Sequence, residues 1–377
     1  MSAETDIRIV DTIADIPVAE WDALAGGNPF LSHVFLSALQ ECGCAVPQTG
    51  WLAQFLVVRR DSRLVGAMPL YLKSHSYGEY VFDWAWAEAY ERHGLNYYPK
   101  LVCAVPFTPV TGLRVLTQSA EIRALLIDAA LERAKQLGIS SLHCLFPDEE
   151  QAQALQQAGM MLRKGVQFHW KNRNYADFDA YLACMNNDKR KKIKQERRRV
   201  RDAGIGFEWL VGEQITAAHW EFFVECYNRT YRQHRSTPYL NLDFFRRIGT
   251  TMDDKLLLVL ALRDGRPIAS ALNFFTRDTL YGRYWGALEF HSGLHFETCY
   301  YQAIAFCIAR NIAVFEGGAQ GEHKLARGFL PAITWSAHWL AHAAFGRAVE
   351  DFLAREAAGV TGYADELHER NPFKPQD

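Results

Sequence analysis

The tetrapeptide Arg263-Asp264-Gly265-Arg266 lies between two strand-like runs, Leu256 to Arg263 and Pro267 to Phe275, and this stretch decides the fold. Apolar and β-branched residues on both sides of a short Asp-Gly turn predict a β-hairpin. An earlier tetrapeptide, Arg60-Asp61-Ser62-Arg63, aligns with it directly and lies between similar runs. Two copies of one hairpin in one chain indicate an internal duplication.

Further landmarks follow each hairpin in the same order. A third strand is predicted at Tyr80 to Trp84 in the first half and at Leu280 to Trp285 in the second. Each half continues with a helix and a strand: Glu121 to Gln136 with Ser140 to Phe146, and Phe296 to Arg310 with Ile312 to Phe315. A glycine and an apolar run then lead to His169-Trp170 and, at the same separation, to His338-Trp339. Matched landmarks in a fixed order support the duplication.

The length of 377 residues also favours two cores, since single cores seldom grow past about 250 residues. The first predicted domain covers residues 1–170 and carries an aromatic-rich insertion. The second covers residues 171–345 and opens with a basic helix at 185–203. A C-terminal helix and tail follow at residues 346–377.

Composition and charge exclude several classes of protein. A net charge of −2 leaves no overall attraction to DNA or to anionic lipid, so any such attraction must come from a local patch. The eight cysteines lack paired spacing, which is typical of thiols in a reducing compartment. No apolar run is long enough to cross a bilayer, and the N-terminus has no signal-peptide pattern. We therefore expect a cytoplasmic protein without a transmembrane segment, a metal site or DNA binding.

The order of the predicted elements resembles the GNAT acyltransferase fold, and two such halves in tandem resemble the FemAB-like proteins. Val105 to Val110 is similar to their I-P-R-G-P-V element, with Phe107-Thr108 in place of Arg-Gly. The runs Asp83 to Gly94 and Tyr97 to Lys100 are similar to a bacterial branch named for peptidoglycan biosynthesis or recognition. The resemblance implies a mixed α/β fold of tandem duplicated GNAT-like domains. Each would be a mainly antiparallel twisted sheet flanked by helices.

The segment Phe315 to Phe329 also resembles this branch, and it supplies the candidate catalytic residues. Lys324 matches the lysine that stabilises the reacting carbonyl in related enzymes. Amide formation needs a base for the attacking amine and a cation facing the developing oxyanion, and the segment contains both. The catalytic candidates are Glu316, Glu322, His323 and Lys324, with Gln320 and Arg327 as neighbouring substrate contacts.

Aromatic and ionisable residues elsewhere in the chain predict a substrate pocket, because aromatic walls with a few polar groups suit small ligands. Core packing is the alternative interpretation for most of them. His291 belongs to a His-Ser-Gly sequence before a helix, where backbone N–H groups can bind a phosphate or the serine can simply cap the helix. The substrate-binding candidates are Trp84, Trp86, Tyr90, Glu91, His93, Phe107, Thr108, Tyr284, Trp285 and His291.

The basic helix leaves only Ile193 and Val200 to dock it, so its remaining face is predicted to be exposed and positive. Such a face binds phosphates or is merely solvated. The predicted phosphate or tRNA contacts are Lys191, Lys194, Arg198 and Arg201.

The expected activity is an acyl- or aminoacyltransferase acting on a small-molecule or peptide amine, with no tightly bound cofactor. Aminoacyl-tRNA and acyl-CoA both stay open as the co-substrate. An N-acetyltransferase that uses acyl-CoA is the first alternative, and a non-catalytic module that binds a peptide or glycan is the second. A UDP-muropeptide acceptor is unsupported, because the Lys and Arg that grip it in related enzymes have no counterpart in this sequence.

Overall fold

The computed structural model describes residues 5–319 and 321–374. The chain divides into two compact units. Unit 1 contains Met1–Gly165 and Ile333–Gly362, and unit 2 contains Val166–Ala332 and Tyr363–Asp377. The chain therefore passes from unit 1 to unit 2 and back, and it ends in unit 2.

Among the described residues, eight strands and five α-helices form up to the end of β8, the strand in which the chain passes from unit 1 to unit 2. The strands are β1 (Thr5–Val10), β2 (Trp51–Ala53), β3 (Phe55–Arg60), β4 (Arg63–Met68), β5 (Leu70–Lys73), β6 (Lys100–Cys103), β7 (Ser141–Leu145) and β8 (Met161–Lys171). The helices are α1 (Val18–Leu24), α2 (His33–Glu41), α3 (Trp84–Arg92), α4 (Ala120–Gln136) and α5 (Glu149–Gln157).

The remaining elements follow β8. The helices are α6 (Phe178–Ala183), α7 (Asn187–Asp202), α8 (Ala217–Gln233), α9 (Leu242–Thr251), α10 (Leu294–Phe296), α11 (Gln302–Ala309) and α12 (Ala343–Glu369), and a π-helical turn at Glu297–Tyr301 joins α10 to α11. The strands are β9 (Ile205–Val211), β10 (Leu256–Arg263), β11 (Arg266–Phe275), β12 (Thr279–Ala287), β13 (Val314–Glu316) and β14 (Leu330–Leu340).

Both units are built on sheets that are mostly antiparallel. Unit 1 has a three-stranded sheet in the order β1-β3-β4 and further strands in the order β2-β5-β6-β7-β14. Unit 2 has the order β8-β13-β12-β11-β10-β9. Only the β6·β7 and β12·β13 pairs among those described are parallel. This confirms the mixed α/β fold class with mainly antiparallel sheets and flanking helices.

The two hairpins that predicted the duplication have the same local structure. Asp61 and Ser62 in the first turn, and Asp264 and Gly265 in the second, all have positive φ. This is the signature of a two-residue hairpin turn whose twist matches that of its strands. The pairing register also slips at the same point in each, two residues before the final arginine of the leading strand. The tetrapeptide alignment therefore reflects equivalent backbone geometry.

The predicted third strand of the first half is wrong. Tyr80 has a φ of +61°, and Trp84 begins helix α3 instead of lying in a strand. Trp86 and Tyr90, four residues apart, form the buried face of that helix, so a helical period was hidden in a run of strand-favouring aromatic residues. Leu280 to Trp285, the matching prediction in the second half, lies within β12.

The observed units differ from the predicted ranges mainly near the C-terminus. The first boundary falls at 165/166, close to the predicted 170/171, but residues 333–362 belong to unit 1 instead of to the second domain and a separate tail. Packing explains this. Leu340, Val349 and Leu353 bury their side chains against Trp86 and Tyr90 of α3.

Candidate active site

The C-terminal end of β13 brings several ionisable side chains to one face of the unit 2 sheet. Glu316, the last residue of β13, is in register with His169 on β8 and with Tyr281 on β12. Residues in register on neighbouring strands place their side chains on the same face. Gly317 and Gly318 follow at once, and a 3-10 helix at Glu322–Arg327 supplies the remaining candidates.

Glu316 carries the clearest sign of a chemical role. Its Oε2 atom is buried and has no hydrogen-bond partner among residues 5–319 and 321–374. Burial raises the pKa of this carboxyl from 4.5 to about 7, with Arg283 acting in the opposite direction. A carboxyl that titrates near neutral pH exchanges protons readily, which is what a general base requires.

Lys324, on the 3-10 helix that follows β13, is a buried cation. Its Nζ atom donates to the backbone oxygen of Gly318 at 2.9 Å, and within the described part of the chain no carboxylate forms an ion pair with it. Burial lowers its pKa to about 8, with Arg283 adding to this shift and Cys299 opposing it. At neutral pH most Lys324 side chains therefore carry the ammonium charge. Water solvates this position poorly, and a charge in such a position suits oxyanion stabilisation.

Gly317 is needed for this arrangement. A Cβ atom at that position would lie 3.3 Å from Cδ of Lys324 and 2.9 Å from the ring of Phe329. The lysine side chain therefore passes directly over the glycine. A larger residue at position 317 would therefore have to displace the Lys324 side chain or the Phe329 ring.

Two neutral histidines, which the sequence analysis missed, border the site. Burial lowers the pKa of His169 to about 4, with a contribution from Lys324. Burial does the same for His295, with contributions from His323 and Arg327. His169 could have been found from sequence, because it belongs to the repeated His-Trp landmark. His295 has no such signal.

His323 is exposed at the edge of the site. Its Nε2 atom lies 3.0 Å from the hydroxyl of Tyr300, and its pKa is lowered by partial burial and by Lys324 and Arg327. A neutral imidazole next to a tyrosine hydroxyl can accept a proton, so His323 stays a candidate base.

Glu322 and Arg327 have other partners. The Tyr363 hydroxyl donates to Glu322 at 2.6 Å, and Arg370 lies 3.4 Å from it, so the pKa of this exposed carboxyl is lowered. Arg327 is buried, forms an ion pair with Glu196 at 2.9 Å and lies 3.4 Å from the ring centre of Phe296. Both residues hold the 3-10 helix to its neighbours. The remaining candidate of this segment, Gln320, falls outside the described residues.

Other predicted contacts in unit 2 divide between core and cavity. Tyr284 packs in the core, with its ring centre 5.4 Å from that of Tyr227. Trp285 lies 4.9 Å from His295 and, together with His291, lines a cavity of about 220 Å³. His291 itself is held by Glu289, whose Oε2 is 2.8 Å from its Nε2.

The basic helix forms one wall of a groove of about 1010 Å³ in unit 2. Ile193, Val200 and also Glu196 form its buried face, as expected for the two apolar residues. All four predicted phosphate contacts, Lys191, Lys194, Arg198 and Arg201, are exposed and line the groove. Phe207 and Gln302 lie among its other lining residues, so the groove combines positive charge with an aromatic surface.

The aromatic segment of unit 1 does not form a single open wall. Trp86 and Tyr90 are buried, and Phe107 and Thr108 are buried as well. Glu91 and His93 are exposed, and Trp84 is half-buried with its ring centre 5.0 Å from that of Tyr77. The predicted contacts of this segment are therefore divided between the core and the surface.

A family model described as FemAB-like, peptidoglycan biosynthesis/recognition, matches residues 12–375 of this chain. The chain belongs to the FemAB-like family. No curated protein sequence matches it significantly. Family and fold together place this FemAB-like protein among transferases of the acyl or aminoacyl kind.

Solved structures are similar to this FemAB-like protein at low identity. One is FemX, with a TM-score of 0.55 and 13% identity over 89% of this chain and 98% of the other. Another is L-PGS from Bacillus licheniformis, with a TM-score of 0.55 and 11% identity over 90% and 96%. A conserved protein of unknown function from Bacteroides thetaiotaomicron gives 0.50 and 12% over 88% and 99%. These likenesses concern the fold.

Across residues 5–319 and 321–374, none of the helices is both long and apolar enough to span a membrane. The same residues contain no group of three or more His, Cys, Asp or Glu side chains placed to hold a metal ion.

Proposed function

We propose that unit 2 transfers an aminoacyl group from aminoacyl-tRNA to an amine and so forms an amide bond. The observation that carries this proposal is that one short segment of unit 2 supplies both a buried carboxyl with a pKa of about 7, Glu316, and a buried cation with no carboxylate partner among the described residues, Lys324. Proton abstraction and oxyanion stabilisation are the two operations that amide formation from an ester requires.

The chemistry balances with these two side chains. Glu316 takes a proton from the acceptor ammonium, and the resulting amine attacks the ester carbonyl of the donor. The tetrahedral oxyanion that forms is stabilised by the ammonium group of Lys324. When it collapses, the C–O bond breaks and protonated Glu316 gives its proton to the leaving ribose oxygen, and the freed carboxylate then takes the extra proton from the amide nitrogen. His323 is positioned as an alternative base.

Two features of unit 2 favour tRNA over acyl-CoA as the donor. Five exposed cations of α7 line the groove, and a polyanion gains more from such a row than a CoA pyrophosphate does. Helix α7 also packs against Gly293, where a Cβ atom would lie 3.3 Å from the backbone oxygen of Glu196. This contact restricts the helix N-terminus that would otherwise receive the pyrophosphate. A tRNA donor would also imply action in the cytoplasm.

A pair of variants tests the catalytic assignment. Glu316→Gln should lower transfer by about 10²- to 10⁴-fold, because it removes the base. Glu322→Gln is the matched control, since this exposed carboxyl faces Tyr363 and Arg370, and it should leave the rate unchanged.

The assay supplies bulk tRNA charged with mixed radiolabelled amino acids and a pool of small amines and peptides. Labelled amide products are then identified by mass spectrometry. Acetyl-CoA and longer acyl-CoAs form the parallel arm. If only the acyl-CoA arm gives products, the donor is acyl-CoA and not aminoacyl-tRNA. Equal losses in both variants, or a loss in Glu322→Gln alone, would contradict the assignment of Glu316.

A further inference from the structure

Unit 1 contains a second cluster of buried charges that the transfer chemistry does not use. Lys100 is fully buried and donates to Ser76 and Glu79, each at 2.8 Å, and also to Asp83. Burial alone would lower the pKa of Lys100, but the two carboxylates raise it. Lys73, also fully buried, lies 3.8 Å from the ring centre of Trp51.

The ion pairs leave part of this cluster unsatisfied. Each carboxylate uses one oxygen on Lys100, and the other oxygens, Oε1 of Glu79 and Oδ1 of Asp83, have no hydrogen-bond partner among the described residues. Both residues are at most 4% exposed. Lys73 donates only to the backbone oxygen of Tyr77, at 3.3 Å, within the same part of the chain. Unpaired acceptors and spare ammonium donors therefore coexist in one buried region.

We infer that this region of unit 1 binds a small zwitterion, namely an α-amino acid or a dipeptide. Its ammonium group is received by Oε1 of Glu79 and Oδ1 of Asp83, and its carboxylate by Lys73. The inference rests on unit 1 alone and does not depend on the transfer reaction.

The charge balance of the cluster selects a zwitterion over other ligands. Two lysines and two carboxylates cancel one another, so a ligand with both charges preserves neutrality while a simple anion or cation would bury an unpaired charge. His143 and His338 add no charge, because burial lowers the pKa of both well below neutral. Burial likewise moves the pKa values of Lys73 and Glu79 to about 7, and a zwitterion would restore full charge on each.

The loop at residues 74–83 offers a place for the ligand side chain. It lies between β5 and α3 and contains neither helix nor strand. Its aromatic residues Tyr77 and Phe82 are 58% and 52% exposed, and the ring of Tyr77 contacts Trp84. Exposed aromatic side chains beside buried charges fit a ligand with a polar head and a variable side chain.

Binding to the wild-type protein tests the inference without any variant. Saturation-transfer NMR with the standard L-amino acids, Gly-Gly and Ala-Ala identifies binders, and calorimetry gives the Kd of the best one. Its carboxamide and its N-acetyl derivative should each bind at least about tenfold more weakly, because each lacks one charge. The ratio of amino acid to dipeptide affinity shows which spacing of the charges fits. If no zwitterion binds, so that the network holds water only, or if the neutralised derivatives bind equally well, the inference is overturned.

Variants then locate the site. Lys73→Met should abolish the preference for a free carboxylate, and Glu79→Gln should weaken binding of the free ammonium group about tenfold or more. Lys135→Met and Glu132→Gln, at an exposed pair on α4, are the matched controls and should bind normally. Thermal melting identifies a variant that does not fold, in which case the wild-type derivative series decides. Glu316→Gln should retain full binding, which separates this site from the transfer site. Unchanged binding in well-folded Lys73→Met and Glu79→Gln would overturn the assignment.

Discussion

Lys100 in unit 1 and Lys324 in unit 2 are both buried lysines, but their surroundings differ. Lys100 directs its ammonium group at two carboxylates and a hydroxyl, so its charge is paired. Among the described residues, the ammonium group of Lys324 donates a hydrogen bond only to the backbone oxygen of Gly318. The pKa of the first is raised by its partners, and burial lowers the pKa of the second to about 8.

This difference separates a structural charge from a reactive one. A buried ion pair holds chain segments together and is costly to break. A buried charge without a counter-ion costs stability, and it persists where chemistry needs it. The comparison therefore predicts opposite effects when each lysine is neutralised.

Loss of Lys100 should give the largest change in stability. Lys100→Met leaves Glu79 and Asp83 buried without their cation, so the free energy of unfolding should fall by about 3–5 kcal/mol. Urea denaturation measures this effect. A fall of less than about 1 kcal/mol would mean that the cluster does not stabilise unit 1, and the comparison would fail on this side.

Loss of Lys324 should act on the rate instead. Lys324→Met removes the oxyanion contact and should lower kcat by about 10²- to 10³-fold. Its free energy of unfolding at neutral pH should be unchanged or higher, since a poorly solvated charge has been removed. Single-turnover kinetics and urea denaturation of the same preparation check both statements. Normal kcat with reduced stability would make Lys324 a structural residue like Lys100.

Neutralising α7 should have a smaller effect that depends on salt. Each phosphate contact contributes about 0.7–0.9 to the slope of log affinity against log salt concentration. Replacing four of the lysine and arginine residues that line the groove by Gln should flatten that slope for tRNA by up to about three units. The residues to replace are Lys191, Lys194, Arg198 and Arg201.

Four exposed cations elsewhere in unit 2 provide the control for α7. Their replacement by Gln should leave the slope unchanged, because they do not line the groove. These control residues are Arg246, Arg266, Arg277 and Arg310. If both sets alter the slope equally, tRNA binds by diffuse attraction and the groove has no special role.

Local sequence patterns predicted the hairpins well, because a two-residue turn is determined by its own residues and their neighbours. The Asp61-Ser62 and Asp264-Gly265 turns are examples. The strand predicted at Tyr80 to Trp84 failed, since aromatic residues favour strands locally while burial of Trp86 and Tyr90 favours a helix. Tertiary packing decided that segment.

The candidate site was predicted in part for a similar reason. Glu316 and Lys324 lie in one short segment, so sequence analysis could select both. The choice between Glu316 and Glu322 depends on Tyr363 and Arg370, which lie far along the chain. Arg327 and its partner Glu196 lie further apart still, 131 residues along the chain. Contacts at such separations leave no local pattern.

The stability of Glu316→Gln as a function of pH tests the central claim most directly, and it needs no substrate. Burial raises the folded-state pKa of Glu316 from 4.5 to about 7, so the folded protein holds this proton more tightly than the unfolded chain. The free energy of unfolding of the wild type should therefore fall as pH rises between these values, by about 1–3 kcal/mol in total. Gln cannot ionise and should escape this loss.

Urea denaturation should show that the stability of Glu316→Gln relative to the wild type increases as pH rises, and that the variant is at least as stable as the wild type at about pH 8. A variant that is less stable at that pH, with a curve parallel to the wild type, would show that the Glu316 carboxylate supports the fold and would contradict its assignment as the base.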